Sequence, residues 1–230
     1  MALFSGNSKD IPKDAVRLTS DEALRYQWKV INGWENFRDV WALKHTTSIM
    51  GSLAAMSGIY VNNHYRTKLR LGTYGRFSSY LPIVVIPAIF SVAMHKLFVQ
   101  HLILLNPLGE CPLCMQLRAA SLQIGFGVVH PAVLAPLSSF MFATRHFTYN
   151  IPSPTQQPRE VLQLWRKLTK PIIPILGTML MGHGLVAMYL TYKQAEQNFE
   201  LNLKLIKSER EMEEKNAMEQ QTKYVAPNFL

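Results

Sequence analysis

Long stretches of this 230-residue chain contain no charged residue. Lys, Arg, Asp and Glu are absent from residues 46–63, 77–95, 119–144 and 171–192. Each stretch is about as long as the helix that crosses a hydrocarbon core of ~30 Å. Because uncharged runs of this length are rare in soluble domains, they predict a membrane protein built of helices.

We therefore predict an all-α membrane protein with a bundle of four transmembrane helices at residues 45–193. The spans are expected at about residues 46–63, 77–98, 119–144 and 171–192. The first span is rich in small and hydroxyl residues, which suits a helix packed among others better than a helix that faces lipid. A helix of a soluble core stays the alternative for this segment.

Acids are scarce in two of the connecting loops. Residues 64–80 hold four basic residues and no acid, and residues 145–170 hold five basic residues and one acid. Residues 1–45 and 96–118 are each near +1, and the tail that begins at Lys193 is near −1. By the positive-inside rule, the two basic loops lie on the cytoplasmic or matrix side, and both termini and residues 96–118 face the opposite compartment.

Features of several other protein classes are missing. The first 14 residues lack the apolar region of a secretory signal peptide, so targeting is expected to be internal. Most of the formal net charge of +9 lies in loops that flank the spans, which indicates the lipid bilayer as a partner and no nucleic acid. No phosphate-binding glycine loop, Ser/His/Asp arrangement or intramembrane carboxylate pair occurs. We therefore predict no enzyme, and no catalytic, cofactor-binding or metal-binding residue.

Only two cysteines occur, Cys111 and Cys114, in the sequence GECPLC. A Cys-x-x-Cys pair suits a disulfide, a redox dithiol or half of a metal site. The loop is expected on the outer side of the membrane, where a disulfide persists. We therefore interpret the pair as a possible disulfide that braces the turn following Asn106 and Pro107.

Three alternatives to the disulfide stay open. The cysteines remain reduced thiols, or they bind zinc together with His95 and His101, which are expected on the same side of the membrane. The third alternative is catalytic redox chemistry, which the four-span quinone-coupled disulfide generators perform with a second cysteine pair. This chain has no second pair that would pass oxidation to a client.

The N-terminal segment, residues 1–44, is predicted to contain an amphipathic helix. It starts near Thr19, and Glu22 stands at the spacing of a capping box. Its apolar residues fall near one face: Leu24, Trp28, Ile31, Phe37 and Trp41. Such a helix lies in the lipid headgroup layer or packs on the rim of the bundle.

The C-terminal segment, residues 194–230, is predicted to be a charged helical tail. It continues the fourth span as one helix, because no Gly or Pro separates the two. Phe199, Leu203 and Ile206 form a short apolar stripe on it. The tail is either a solvated helix or a docking arm.

Polar and small residues within the spans are candidates for contacts between helices. His130 and His183 lie near the middle of the third and fourth spans, where antiparallel neighbours would bring them to one depth. Paired imidazoles relay protons or hold haem, but a structural role beside Pro131 or between glycines is the interpretation that we favour. Five residues are predicted to allow close helix packing: Gly51, Ala55, Gly58, Gly182 and Gly184.

Residues 45–193 resemble one family. The motifs are the Cys-x-x-Cys pair ahead of the third span, Arg118 four residues after it, a glycine-containing span with a central proline, and Lys170-Pro171 at the entry to the fourth span. In order and spacing they are similar to the transmembrane protein 126 family of mitochondrial inner-membrane proteins.

The resemblance implies a function in the assembly of a respiratory complex. A member of this family is expected to be a non-catalytic assembly factor, or chaperone, for mitochondrial complex I. Its partners would be membrane-arm subunits of complex I and other assembly factors. Two alternatives from other classes remain, a membrane thiol-disulfide oxidoreductase that uses Cys111 and Cys114 and a small-solute carrier that uses His130 and His183.

Overall fold

The computed structural model describes residues 18–105, 111–152 and 156–225, and every regular element in these ranges is helical. Predictions about the first 14 residues and about Asn106 and Pro107 lie outside the described residues. The described helices are α1 (Ser20–Gly33), α2 (Trp41–Lys68), α3 (Arg76–Leu105), α4 (Pro112–His146), α5 (Pro158–Thr169) and α6 (Ile173–Val225).

Five short segments have wider or tighter helical turns than an α-helix. The π-helical turns are Leu81–Val85 and Lys96–Gln100 in α3 and Gly125–Val129 in α4. The 3₁₀ turns are Phe37–Asp39, before α2, and Lys170–Ile172, before α6. Prolines follow or lie within several of these turns, as expected where a missing N–H breaks the regular hydrogen-bond ladder.

Three described helical segments are long and apolar enough to cross a membrane: Arg76–Leu105, Pro112–His146 and Pro158–Gln220. The prediction of a helical membrane protein is therefore confirmed. The first predicted span lies in α2, a helix of 28 residues that is not one of these three. Polar residues such as Thr46, Ser57 and Asn62 lower the hydropathy of α2, and all three are buried.

The chain divides into two compact units. We call Met1–Lys44, Leu102–Glu110 and Lys193–Leu230 the terminal unit, and His45–His101 with Cys111–Tyr192 the membrane unit. The described parts of the two terminal segments, residues 18–44 and 193–225, lie in the terminal unit.

In the terminal unit, the predicted capping box is confirmed. Thr19 Oγ1 accepts a hydrogen bond from the Glu22 amide at 3.4 Å, and the Thr19 amide donates to Glu22 Oε2 at 2.9 Å. The prediction that one helix runs on to Trp41 is wrong, because α1 ends at Gly33 and a 3₁₀ turn follows. Phe37 lies in that turn and is 57% exposed, so it does not share the apolar face of α1.

The apolar face of α1 packs inside the terminal unit. Ile31 joins a buried cluster with Leu43, Leu104 and Leu201, and the partly buried Leu24, Trp28 and Trp34 pack against this cluster. These contacts favour a helix packed on protein over a helix lying among lipid headgroups.

The tail is part of one continuous helix, as predicted, since α6 runs for 53 residues from Ile173 to Val225. Its buried face differs from the predicted stripe. Phe199 and Leu203 are about half exposed, whereas Leu201 and the amide side chains of Gln197 and Asn198 are buried.

In the membrane unit, a second core cluster joins α2, α3, α4 and α5. Its members are Val61, Tyr65, Leu69, Leu71, Ile83, Ala135, Phe142, Ala143, Leu168 and Ile172. The amphipathic helix α5 docks through Leu168 and the partly buried Trp165, and Thr169 Oγ1 lies 2.7 Å from the hydroxyl of Tyr65. This helix lies in the second basic loop and was not predicted from the sequence.

Candidate functional site

Gln123 of α4 lies at the centre of a polar cluster in the membrane unit. Its side chain is 2% exposed. Its Nε2 donates to the Met50 carbonyl of α2 at 3.0 Å and lies 3.2 Å from His183 Nδ1 of α6, while its Oε1 accepts from Ser91 Oγ of α3 at 2.5 Å. One amide side chain therefore links four helices.

The chemistry of these partners assigns the protons in the cluster. A carbonyl oxygen only accepts, so the Gln123 atom facing Met50 must be the amide nitrogen. The second N–H of that nitrogen then points to Nδ1 of His183, which accepts it and leaves the ring proton on Nε2. Both N–H groups and the oxygen of Gln123 are thus used, as a buried amide requires.

A second polar contact lies one turn further along α4. Pro131 has no N–H to offer the carbonyl of Gly127, four residues earlier. Ser57 Oγ of α2 donates to this carbonyl at 2.6 Å, which is shorter than its distances to two carbonyls of its own helix. A hydroxyl on a neighbouring helix thereby satisfies the backbone group that proline leaves open.

Glycines bring these helices into direct contact. A Cβ atom at Gly127 would lie 2.4 Å from Nδ1 of His183, so the imidazole can reach Gln123 only because position 127 has no side chain. At Gly58 a Cβ atom would lie 2.6 Å from the Ile83 carbonyl oxygen, and at Gly51 it would lie 2.7 Å from Val92 Cγ2. These last two contacts join α2 to α3.

The other predicted packing residues differ in their surroundings. A Cβ atom at Gly184 would lie 3.2 Å from Ile124 Cδ1, which is a close contact between α6 and α4. Gly182, two residues earlier, has nothing within 4 Å of its Cβ position among the described residues. Ala55 is partly buried on α2. The glycines of α6 therefore face in two directions, and one of these directions is open.

The two predicted mid-membrane histidines have different environments. His183 is buried and belongs to the Gln123 cluster. His130 is partly buried at the end of the π-helical turn, and its Nδ1 has no hydrogen-bond partner in the described part of the chain. No hydrogen bond between the two rings occurs among the described residues, so the structure does not bring them together as a pair.

Cys111 and Cys114 are exposed at the start of α4. Cys111 caps the helix, and its Sγ accepts a hydrogen bond from the Cys114 amide at 3.4 Å. The structure holds both residues as thiols, so the disulfide stays a prediction. Within the described ranges no group of three or more His, Cys, Asp or Glu side chains is placed to hold a metal ion, and His95 and His101 do not join the cysteines in one.

Sequence reasoning missed a stripe of amides in the terminal unit. Gln197 Oε1 accepts from the Ala42 amide at 2.9 Å and its Nε2 donates to the Arg38 carbonyl at 3.0 Å, while Asn198 Nδ2 donates to the Ile103 carbonyl at 2.8 Å. The sequence signal for it is the helical spacing of Gln194, Gln197, Asn198, Leu201 and Asn202, all of which are buried in the structure.

Comparison with known proteins identifies the family. The family model described as Transmembrane protein 126 matches residues 33–210. The chain belongs to the transmembrane protein 126 family. It is also similar to the Drosophila melanogaster protein named Transmembrane protein 126, with 52% identity over 216 residues, which are 94% of this chain and 97% of the relative. No solved structure matches the chain.

The match to the transmembrane protein 126 family extends beyond the resemblance seen in the sequence. It covers the whole membrane unit and reaches the amide stripe of α6, whereas α1 lies almost entirely ahead of it. Every residue of the Gln123 cluster therefore lies in the region that the family model describes.

Proposed function

We propose that this protein is a non-catalytic assembly factor of the mitochondrial inner membrane that binds membrane-arm intermediates of respiratory complex I. Its partners are hydrophobic subunits of the membrane arm and other assembly factors. Membership of the transmembrane protein 126 family supports this proposal through the function that the resemblance implies.

The structural observation that carries the proposal is the open face of α6 within the membrane unit. In the apolar window of Pro158–Gln220, 22% of residues are buried, against 50% in that of Pro112–His146. Gly182 has nothing within 4 Å of its Cβ position among the described residues, and Met181 and Leu185 on the same side of α6 are 66% and 64% exposed. A helix of a partner subunit can approach the α6 backbone closely at Gly182, and such packing drives association inside a bilayer.

The Gln123 cluster supports a role in binding because it braces the helices. Gln123 holds α2, α3 and α6 through hydrogen bonds that use all its polar groups. A face held in place before a partner arrives loses less conformational entropy on binding than a mobile one does. We propose that the cluster holds α6 in the conformation that a partner binds.

We further propose that α2 is a fourth transmembrane span. Its large apolar residues Met56, Ile59 and Tyr60 are exposed, while its polar residues Ser57 and Asn62 are buried. Apolar residues outside and polar residues inside are the arrangement expected of a membrane helix. With four spans, the charge distribution supports an orientation with both termini and the cysteines in the intermembrane space and residues 64–80 and 145–170 in the matrix.

The topology is tested in mitoplasts whose inner membrane is intact. Added protease should digest a C-terminal epitope, because the tail faces the intermembrane space. Protection of the epitope until detergent is added would contradict this orientation.

The assembly function is tested by deleting the protein and separating the respiratory complexes on native gels. The deletion should stall complex I intermediates, and wild type should rescue them. Gly182→Leu should accumulate normally but fail to rescue, because the leucine side chain blocks the close approach of a partner helix at the open face of α6. Leu137→Phe adds bulk at a residue of α4 that is 62% exposed and serves as the matched control, with rescue expected. Normal complex I in the deletion strain would disprove the proposal.

A second candidate function is favoured by one observation. The exposed thiols of Cys111 and Cys114 lie one helical turn apart at a helix start, a position from which thiol-disulfide exchange is accessible. In the same complementation experiment, Cys111→Ser/Cys114→Ser and His130→Ala should both rescue if the protein works by binding, whereas His183→Ala, which removes the acceptor of one Gln123 N–H, should rescue less well. A cysteine variant that is stable but inactive would favour the oxidoreductase, and alkylation before and after reduction would report its disulfide.

A further inference from the structure

The loop between α2 and α3 encloses a cavity rich in arginine. It has a volume of about 350 Å³, and its lining includes Asn63, Arg66, Thr67, Arg70, Arg76 and Tyr80. Three arginines thus line one small space together with residues that carry amide and hydroxyl groups. Such a set of donors matches the oxygen atoms of a phosphate group.

The membrane unit has almost no acidic residues that could neutralise these arginines. The whole unit contains one acid, Glu160, against eleven Lys and Arg residues, and no Asp or Glu lines the cavity. Placing like charges together without a counter-ion destabilises the fold. A bound anion removes this cost, so the charge pattern points to a ligand that carries negative charge.

Arg66 is fixed at the inner side of the cavity. It is 4% exposed, with Nη1 donating to Ser79 Oγ and Nη2 donating to the carbonyls of Gly72 and Tyr74, each at 2.9 Å. Arg66 therefore shapes the loop and also contributes positive charge that no carboxylate in the described part of the chain offsets.

Arg70 occupies a backbone position that normally favours glycine. The Leu71 amide donates to the Arg66 carbonyl at 3.0 Å and the Arg70 amide donates to the Thr67 carbonyl at 3.2 Å, which is the hydrogen-bond pattern of a Schellman motif at the end of α2. Arg70 has φ of +54° in this motif. The same loop has glycine at its other two positive-φ positions, 72 and 75. Arginine at such a position costs backbone strain, which a function of its side chain in the cavity explains.

We propose that this cavity binds the phosphate headgroup of an anionic phospholipid. The residues beside it favour a lipid over a free phosphate. Arg76 is the first residue of the apolar helix α3, and Phe77 and Leu81 follow it with exposed fractions of 82% and 46%. These apolar side chains lie where the acyl chains of a lipid held by its headgroup would run. The proposal does not depend on the assembly function.

Lipid binding is measured with the full-length protein in neutral detergent. Native mass spectrometry and thermal unfolding follow titrations with phosphatidylglycerol, cardiolipin, phosphatidylcholine and inorganic phosphate. We compare wild type with Arg70→Gly and Arg76→Gln. Arg70→Gly is informative because it removes the charge while relieving the backbone strain, so it should fold at least as well as wild type. Lys68→Gln is the matched control, since Lys68 is exposed in the same segment but does not line the cavity.

Anionic lipids should raise the unfolding temperature of wild type and Lys68→Gln, and phosphatidylcholine should not. Each arginine variant should bind the anionic lipids at least about fivefold more weakly, which is the contribution expected of one basic residue at a membrane surface. Equal weakening by Lys68→Gln and Arg70→Gly would mean unspecific surface attraction and would overturn the proposal. Inorganic phosphate that binds as tightly as the lipids would overturn it in favour of a free anion.

Discussion

The membrane unit and the terminal unit both bury amide side chains, but they use them differently. In the membrane unit, Gln123 binds a carbonyl and two side chains in the middle of long helices. In the terminal unit, Gln197 and Asn198 bind backbone groups where other helices start or end, at Ala42 and Ile103. A helix interior satisfies its own backbone, whereas the first amides and last carbonyls of a helix need outside partners. The comparison shows that a buried amide at the end of a partner helix stabilises that helix end, whereas a buried amide in the middle of long helices links the helices to one another.

The two units also differ in how closely their helices approach. Contacts in the membrane unit rest on glycines such as Gly51 and Gly58, which let α2 and α3 meet at backbone distance. The terminal unit fills its space with larger side chains, including Trp28 and Trp34, which pack against the cluster that contains Leu201. Added volume should therefore be tolerated less well in the membrane unit, and loss of volume less well in the terminal unit.

The largest effect is expected from Gly58→Ala. Its new methyl group would lie 2.6 Å from the Ile83 carbonyl oxygen, so the backbone of α2 or α3 must shift. We expect a loss of about 3 kcal/mol in the free energy of unfolding, at the upper end of the usual cost of overpacking because the crowded neighbour is a backbone atom, measured by reversible denaturation in mixed micelles. Gly182→Ala is the control and should be neutral or should gain about 0.5–1 kcal/mol, because nothing described surrounds it. Equal effects at both positions would contradict the packing described for α2.

A smaller loss is expected from Gln123→Met. Methionine keeps the volume but leaves Ser91 and the ring of His183 without their partner, which costs about 1–3 kcal/mol when such groups stay buried. A water molecule that enters the site and bonds to these groups would reduce the loss in unfolding free energy to the lower end of this range. Gln116→Met on the same helix is the control, with little change expected. Should the two variants unfold alike, the cluster would not brace the helices.

The smallest effect is expected at an exposed contact of the terminal unit. The hydrogen bond from Lys204 Nζ, followed by that from Trp34 Nε1, lowers the pKa of the Asp39 carboxyl group. A lowered carboxyl pKa stabilises the fold above the unfolded value of about 3.9, and this contribution is lost as the pH falls through the folded pKa. The difference in unfolding temperature between wild type and Asp39→Asn should therefore be constant from about pH 5 to 7. It should shrink and disappear as the pH falls below about 4. Glu35→Gln serves as the control, and a difference that persists at low pH would exclude this carboxylate as its source.

Sequence reasoning succeeded where a signal is contained in one segment. Charge-free runs located the apolar helices, the spacing of Thr19 and Glu22 located the start of α1, and the lack of helix breakers predicted that α6 continues past the membrane unit. Each of these features depends on neighbours along the chain, so one sequence is sufficient to predict it.

Sequence reasoning failed for features that depend on which helix faces contact each other in the fold. The apolar spacing of α1 continues across Gly33, so the break at the following turn was missed. Gln123 was overlooked because a single amide in an apolar run does not show which helices surround it. A common depth for His130 and His183 was expected from antiparallel spans, but depth alone does not show that Gln123 and Gly127 of α4 face His183.

The cluster around Gln123 also has a consequence for how the fold is completed. Met50, Ser91 and Gln123 all precede His183 in the chain, so α6 supplies the last partner of the cluster. Until α6 is inserted, one N–H of Gln123 has no acceptor in the cluster and Gly127 lacks the ring that covers it. A chain truncated before residue 183 therefore lacks the acceptor of one Gln123 N–H, and α6 completes the hydrogen bonding that joins α2, α3 and α4.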